Sequence, residues 1–287
     1  MLPIFPKHCP ICPSNGVSKA IPDHKYGDYI ILKPNEASCH EINKLSQIYK
    51  SVLINEIPQI EQNIKINSTD EMHLTLAMPL RAMKRKEVAD LLNRLNQVTN
   101  QSQTFDMIFR DPKKEGSYRC VFGSPNYSPN FDIRLSKPAQ NYYDHHAISS
   151  HDNLMDLADN IHKYCEENKL VDISRNSDGS CNAFKPHISL GKITGENACE
   201  LLHNREKHSQ GQKQLSYLVS SEASKVFGCK KQHKHCSSLP LKFDRIEILR
   251  CDSQKGVDHQ TTCLGSLDLN SKTISLAKQF PGCNHKG

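Results

Sequence analysis

Long hydrophobic runs are missing from this 287-residue sequence. No stretch approaches the roughly 18 apolar residues that a membrane-spanning helix needs, so a membrane partner is not expected. The amino-terminal decapeptide, Met-Leu-Pro-Ile-Phe-Pro-Lys-His-Cys-Pro, is broken by prolines and has no apolar h-region. A Sec-type leader is therefore not expected, and the expected location is cytoplasmic. A strong excess of either charge is also absent. With 37 Lys and Arg against 31 Asp and Glu, the net charge of +6 is mildly basic. That suits a polyanionic ligand without establishing one. Cysteine, by contrast, is plentiful. Without a secretory route, twelve cysteines read as free, mostly buried thiols rather than disulfides.

The hydrophobic fraction of 37% and mean hydropathy of −0.61 describe a polar chain with generous loops. Its length allows one large domain or two lobes sharing a cleft. Three regions are expected: an extension over 1–28, a principal domain over 29–251 with an insertion at 203–240, and a carboxy-terminal segment over 252–287 holding an edge strand and a loose tail. A monomer is expected.

Within the principal domain, strands alternate with helices. Tyr29–Leu32 reads as a strand. Ser38-x-x-Glu41 has the form of a capping box, and Ile42, Leu45, Tyr49, Val52 and Leu53 follow it at helical spacing. A short strand begins at His73. A second amphipathic helix carries Val88, Leu91, Leu92, Leu95 and Val98 on one face. Segments 105–110 and 118–122 read as a hairpin, and 131–135 as a further strand. Residues 136–150 lack a period and read as a loop, before a third helix through Leu154, Leu157, Ala158, Ile161 and Tyr164. A strand follows at 186–190, then a short helix capped by Thr194. The insertion is polar apart from a candidate strand at 215–219. Alternation at 243–249 returns the chain to a sheet, and 264–269 can add an edge. This order predicts an α+β fold with helices covering sheets.

Two strand segments repeat one pattern: His73-Leu74-Thr75-Leu76 and His187-Ile188-Ser189-Leu190. Successive side chains of a strand point to opposite faces, so His73 and Thr75 share one face while Leu74 and Leu76 enter the core. The same division separates His187 and Ser189 from Ile188 and Leu190. A His-x-Ser/Thr triplet alone is weak, and it recurs at His235 and His259. With the apolar positions and the final Leu required, on the order of 0.05 such tetrapeptides are expected by chance among 15 histidines. Two are present.

Paired in this way, the residues suit phosphodiester chemistry. A neutral imidazole accepts a proton from the attacking hydroxyl or water, and an imidazolium protonates the leaving oxygen. Histidine serves both roles because its ordinary pKa lies near neutrality. The Thr75 and Ser189 hydroxyls can donate to non-bridging oxygens, where negative charge accumulates. This chemistry demands neither a metal nor another cofactor.

On these two motifs the sequence resembles the 2H phosphoesterase superfamily, which includes LigT-like RNA 2′,3′-cyclic phosphodiesterases and 2′,5′-oligoadenylate phosphodiesterases. The resemblance implies a bilobal, pseudo-symmetric fold with two antiparallel sheets lining a central cleft and helices outside. It also implies catalysis by His73 and His187, phosphate contact by Thr75 and Ser189, and a nucleotide or RNA-derived substrate. A non-catalytic RNA- or nucleotide-binding protein built on the same cleft is the alternative. The motif separation, 187 − 73 = 114 residues, is wider than in compact members.

Other candidates are weaker. Cys9 and Cys12 have the Cys-x2-Cys spacing of a zinc knuckle, but ordinary reduced thiols explain them as well. Tyr142 and Tyr143 are candidates to stack on a base or to latch a loop. Lys185 shares strand parity with His187 and is a candidate to face the same groove.

Overall fold

The computed structural model describes residues 26–99, 120–121, 130–134, 145–170, 187–207, 215–227, 241–252 and 260–280. Cys9, Cys12, Tyr142, Tyr143 and Lys185, the strand segment 105–110 and the whole of 228–240 lie outside them. The strands are β1 (Tyr26–Pro34), β2 (Ile64–Ile66), β3 (Leu74–Leu80), β4 (Cys120–Val121), β5 (Asn130–Arg134), β6 (His187–Ile193), β7 (Phe243–Asp252), β8 (Gln260–Asp268) and β9 (Ile274–Leu276). The helices are α1 (Glu36–Glu56), α2 (Arg85–Val98), α3 (His145–Glu167), α4 (Glu196–Lys207) and α5 (Leu215–Phe227). None is long and apolar enough to cross a membrane.

The architecture is α+β, and every strand pairing is antiparallel. The strands run in the order β4-β5-β6-β3-β1-β7-β8-β9, with β2 also paired to β6. The two halves expected as two sheets are joined edge to edge into one open sheet. The junction is the β3–β6 pair, in register at Leu74 opposite Ile188.

One face of this sheet is apolar. Ile30, Leu32, Leu74, Leu76, Ile188, Leu190, Ile246, Ile248 and Leu267 are all fully buried or nearly so, and they belong to a single core that the helices complete. α1 adds Ile42, Leu45, Tyr49, Val52 and Leu53, which share one side of the helix at the spacing read from the sequence. Burying each such side chain contributes about 1.5–3 kcal/mol. A fully buried ion pair anchors the far edge of β1. Asp28 and Arg250 face each other across β1 and β7, with Nε–Oδ1 at 2.8 Å and Nη2–Oδ2 at 2.9 Å. Arg250 also donates to the Met83 carbonyl, and Asp28 accepts from the Met83 amide, at 2.7 Å each. The loop entering α2 is thereby tied to the sheet.

Several local expectations are corrected. α1 starts one turn earlier than the Ser38 capping box implies: Asn35 is the N-cap, its side chain accepting from the Ser38 amide at 2.9 Å. The Ser38 hydroxyl instead accepts from the Lys242 amide at 2.7 Å, stitching α1 to the strand entering β7. α3 begins at His145, so the expected loop ends before residue 145 rather than at 150. Segment 215–219 is helical, not extended. Leu215, Val219 and Ala223 are buried four residues apart, which is helical spacing, and burial of that stripe overrides the short apolar alternation. Thr194 does not act as the expected cap through its hydroxyl, which donates to the Asn63 carbonyl at 3.1 Å. β8 lies inside the sheet, and β9 forms the edge beyond it. Cys39, Cys165, Cys199 and Cys263 are free thiols, and of these four only Cys263 is exposed.

Gly265 lies where Leu92 of α2 packs closely on β8. A Cβ there would meet Leu92 Cδ1 at 2.9 Å, with Leu276 Cδ2 and the Ser275 carbonyl oxygen each at 3.0 Å. The backbone oxygen cannot swing aside as a side chain can. Gly265→Ala is expected to destabilise the protein by about 1–3 kcal/mol in urea unfolding. An unchanged midpoint would contradict this packing.

Candidate active site

The pairing of β3 with β6 decides the geometry of the two motifs. Leu74 faces Ile188 in an antiparallel register, so His73 lies across from Ser189 and Thr75 across from His187. The four polar residues occupy the corners of a square around the Leu74–Ile188 pair. They are half-buried, whereas Leu74 and Ile188 are fully buried beneath them. The histidines sit on one diagonal and the hydroxyls on the other. In a regular antiparallel ladder such diagonal neighbours have Cβ atoms roughly 7–8 Å apart. That interval accommodates a tetrahedral phosphate between two imidazoles. The proximity of the rings also shows electrostatically, because His187 contributes to lowering the pKa of His73.

His187 opens β6, whereas His73 lies one residue before β3 begins. Its position is set by an unusual course of the chain. β2 and β3 pair in succession along the same edge of β6, at Ile66 opposite Gly191 and then at Leu74 opposite Ile188. Between these points the first chain uses residues 67–73 while β6 uses only 189 and 190. The excess loops out as a 3-10 turn, Thr69–Glu71. Asn67 pins its base to β6: its amide donates to the Leu190 carbonyl at 3.0 Å and its Nδ2 to the Ser189 carbonyl at 2.9 Å.

A reciprocal cap stiffens the turn. Glu71 Oε2 accepts from the Ser68 amide at 2.8 Å and from its hydroxyl at 3.1 Å. These bonds, the amide first, with help from nearby Lys65, hold the Glu71 carboxyl below the ordinary carboxylate range. The turn then presents two successive carbonyls inward. That of Glu71 lies 2.7 Å from His73 Nδ1, and that of Asp70 lies 2.6 Å from the ammonium of Lys33.

A carbonyl oxygen only accepts, so His73 Nδ1 carries the proton in this contact. In the neutral ring Nε2 is then the basic nitrogen. Burial pushes the His73 pKa below its ordinary 6.5, and Lys33 and His187 push it further in the same direction. The Glu71 hydrogen bond acts the other way without reversing the shift. Near neutral pH His73 is therefore a neutral imidazole of defined tautomer.

Several solved structures are similar to this chain. Escherichia coli LigT complexed with 3′-AMP is 11% identical at a TM-score of 0.40, covering 84% of this chain and 96% of that one. Kluyveromyces marxianus Usb1 is 12% identical at a TM-score of 0.44, covering 84% of this chain and 99% of that one. No protein-family model and no curated protein matches the sequence.

β6 carries one extra residue relative to β5, since the pairing shifts between Phe131–Gly191 and Asp132–Ser189. This bulge buries Leu190 and Gly191 together and leaves Lys192 half-buried in step with His187 and Ser189. On the other flank Arg134 is registered opposite His187. Sequence reading missed Lys33, Asn67 and the Ser68–Glu71 turn. Ser68-x-x-Glu71 has capping-box form, and its position shortly before His73 was the available signal.

The surroundings of His73 have a measurable consequence. In ¹H–¹⁵N spectra His73 should titrate below 6.5 and keep its proton on Nδ1 when neutral. Because the folded pKa is lower than the unfolded one, stability from this group is complete above 6.5 and is lost as the pH falls through the folded value. His73→Asn should therefore flatten the acid slope of stability. Titration of His73 at or above 6.5 would contradict the burial and charge pattern.

Proposed function

We propose that the protein is a metal-independent phosphodiesterase of the 2H type acting on a nucleotide or RNA-derived phosphodiester. The supporting observation is the cross-strand square: two histidines and two hydroxyls on one polar patch, centred on the Leu74–Ile188 pair. The linkage it opens is a 2′,5′-bond, a 2′,3′-cyclic phosphate or the phosphodiester of a cyclic nucleotide.

In the proposed reaction His73, neutral with Nε2 free of a proton, is the base. Its Nε2 takes the proton of the attacking water or ribose hydroxyl as the new O–P bond forms. Protonated His187 donates to the leaving oxygen as the old P–O bond breaks. The two rings end with exchanged protonation, and solvent restores them. Thr75 and Ser189 donate to the non-bridging oxygens, whose charge rises in the transition state. Proton transfer at both ends and hydrogen bonding in the middle cover each requirement of the step. The design accordingly predicts full activity in the presence of chelator.

The test measures turnover of 2′,5′-oligoadenylate, RNA ends bearing 2′,3′-cyclic phosphate, and cyclic dinucleotides, each with EDTA present. His73→Ala and His187→Ala should each lower kcat by about 10²–10⁴-fold. Activity surviving both substitutions would overturn the paired-histidine mechanism, and abolition by EDTA would overturn its metal independence. Binding without turnover of any substrate, unaffected by loss of both histidines, would instead favour a non-catalytic nucleotide-binding protein. The pH dependence of kcat/KM should be bell-shaped, with an acid limb below 6.5 set by His73.

A further inference from the structure

Lys33 ends the alternating part of β1, next to the site, and is only 8% exposed. β1 pairs with β3 at Leu32 opposite Leu74, so the antiparallel register sets Lys33 across from His73. On its other side Lys33 is registered opposite Arg245 of β7. Its ammonium donates to the Asp70 carbonyl at 2.6 Å. Among the described residues this is its one hydrogen-bond acceptor, and no carboxylate lies within ion-pair distance of it. Arg245 already pairs with Glu247 at 3.0 Å.

A buried ammonium satisfied by a single neutral carbonyl is an unfavourable arrangement, since burial removes its water without supplying a counter-charge. Elsewhere this protein handles the problem differently: buried Arg250 is matched by buried Asp28. Among the described residues Lys33 has no such match, and it stands in the same row as His73 and Ser189. No described residue supplies the matching negative charge, which is the kind that a phosphodiester brings.

We propose that Lys33 is an anion-binding residue of the paired-histidine site, its ammonium contacting a non-bridging oxygen of the phosphate held between His73 and His187. This rests on the phosphodiester reading above and adds a cation to its two hydroxyl donors. The Asp70 carbonyl takes one of three N–H donors and orients the ammonium, leaving two for phosphate. The charged and titratable neighbours of His73 are Lys33 on β1, Glu71 on the turn and His187 on β6. Lys33 therefore has a second effect: it disfavours protonation of the base. When phosphate binds, its charge neutralises the ammonium.

The experiment compares wild type with Lys33→Met and Lys33→Arg on whichever phosphodiester the wild type turns over. Lys33→Met should lower kcat/KM on the order of 10²-fold and move the acid limb of the pH profile upward. Lys33→Arg should retain the wild-type limb and recover most of the rate. Wild-type kcat/KM in Lys33→Met, or a loss of melting temperature with an unchanged pH limb, would overturn the proposal and leave a structural lysine. A second measurement needs no variant: titrating the wild type with inorganic phosphate while observing the Lys33 ammonium and both imidazoles by ¹⁵N spectroscopy. All three should respond with one Kd. A silent Lys33 beside responding histidines would overturn the Lys33 assignment alone. Absent turnover with silent histidines would overturn the phosphodiester reading itself.

Discussion

The contact between Leu74 and Ile188 is the constraint on which the rest of the site depends. It joins the two halves of the sheet and fixes their register. Because strand side chains alternate strictly, burying this apolar pair forces its four polar neighbours to the opposite face. A slip of one residue would turn His73 or His187 into the core. The hydrophobic effect thus sets the position of the catalytic candidates: both central residues are fully excluded from water, and losing one such side chain costs about 2–5 kcal/mol.

Register alone leaves the two histidines equivalent, and the turn between β2 and β3 breaks that symmetry. Its cap, from Ser68 to Glu71, points consecutive carbonyls at Lys33 and His73. One short element thereby fixes a tautomer and orients a buried cation, while burial, Lys33 and His187 favour the neutral form of that imidazole. The paired motifs share a sequence pattern, and at His73 the turn adds a carbonyl that holds the proton on Nδ1. The proposed role of His73 as base rests on these surroundings. It is an electrostatic property of the surroundings rather than of the histidine itself.

The parts of this arrangement that were legible in the sequence are those governed by periodicity. The α1 and α2 stripes, the alternating strands and the duplicated tetrapeptide each repeat over several residues, and each occupies the type of element its period implies. Features decided by distant partners were not legible. Ser38 reads as a cap, yet Asn35 takes that role and Ser38 serves the chain near Lys242. Leu215–Val219 reads as a strand until Ala223 continues the stripe at the next turn. Lys33 lies just past the strand read at 29–32, and its burial and its contact with Asp70 depend on other segments. Likewise, neither motif announces that the two are diagonal neighbours. That follows only from pairing strands more than a hundred residues apart.

The most direct measurement is a crystal structure of the protein with a slowly cleaved phosphorothioate analogue of a 2′,5′-linked dinucleotide. The phosphorus is expected between the two imidazoles, with His73 Nε2 and a ring nitrogen of His187 each about 2.6–3.2 Å from an oxygen or sulfur of the group. A well-occupied ligand whose phosphorus lies on another surface, or touches neither histidine, would contradict it.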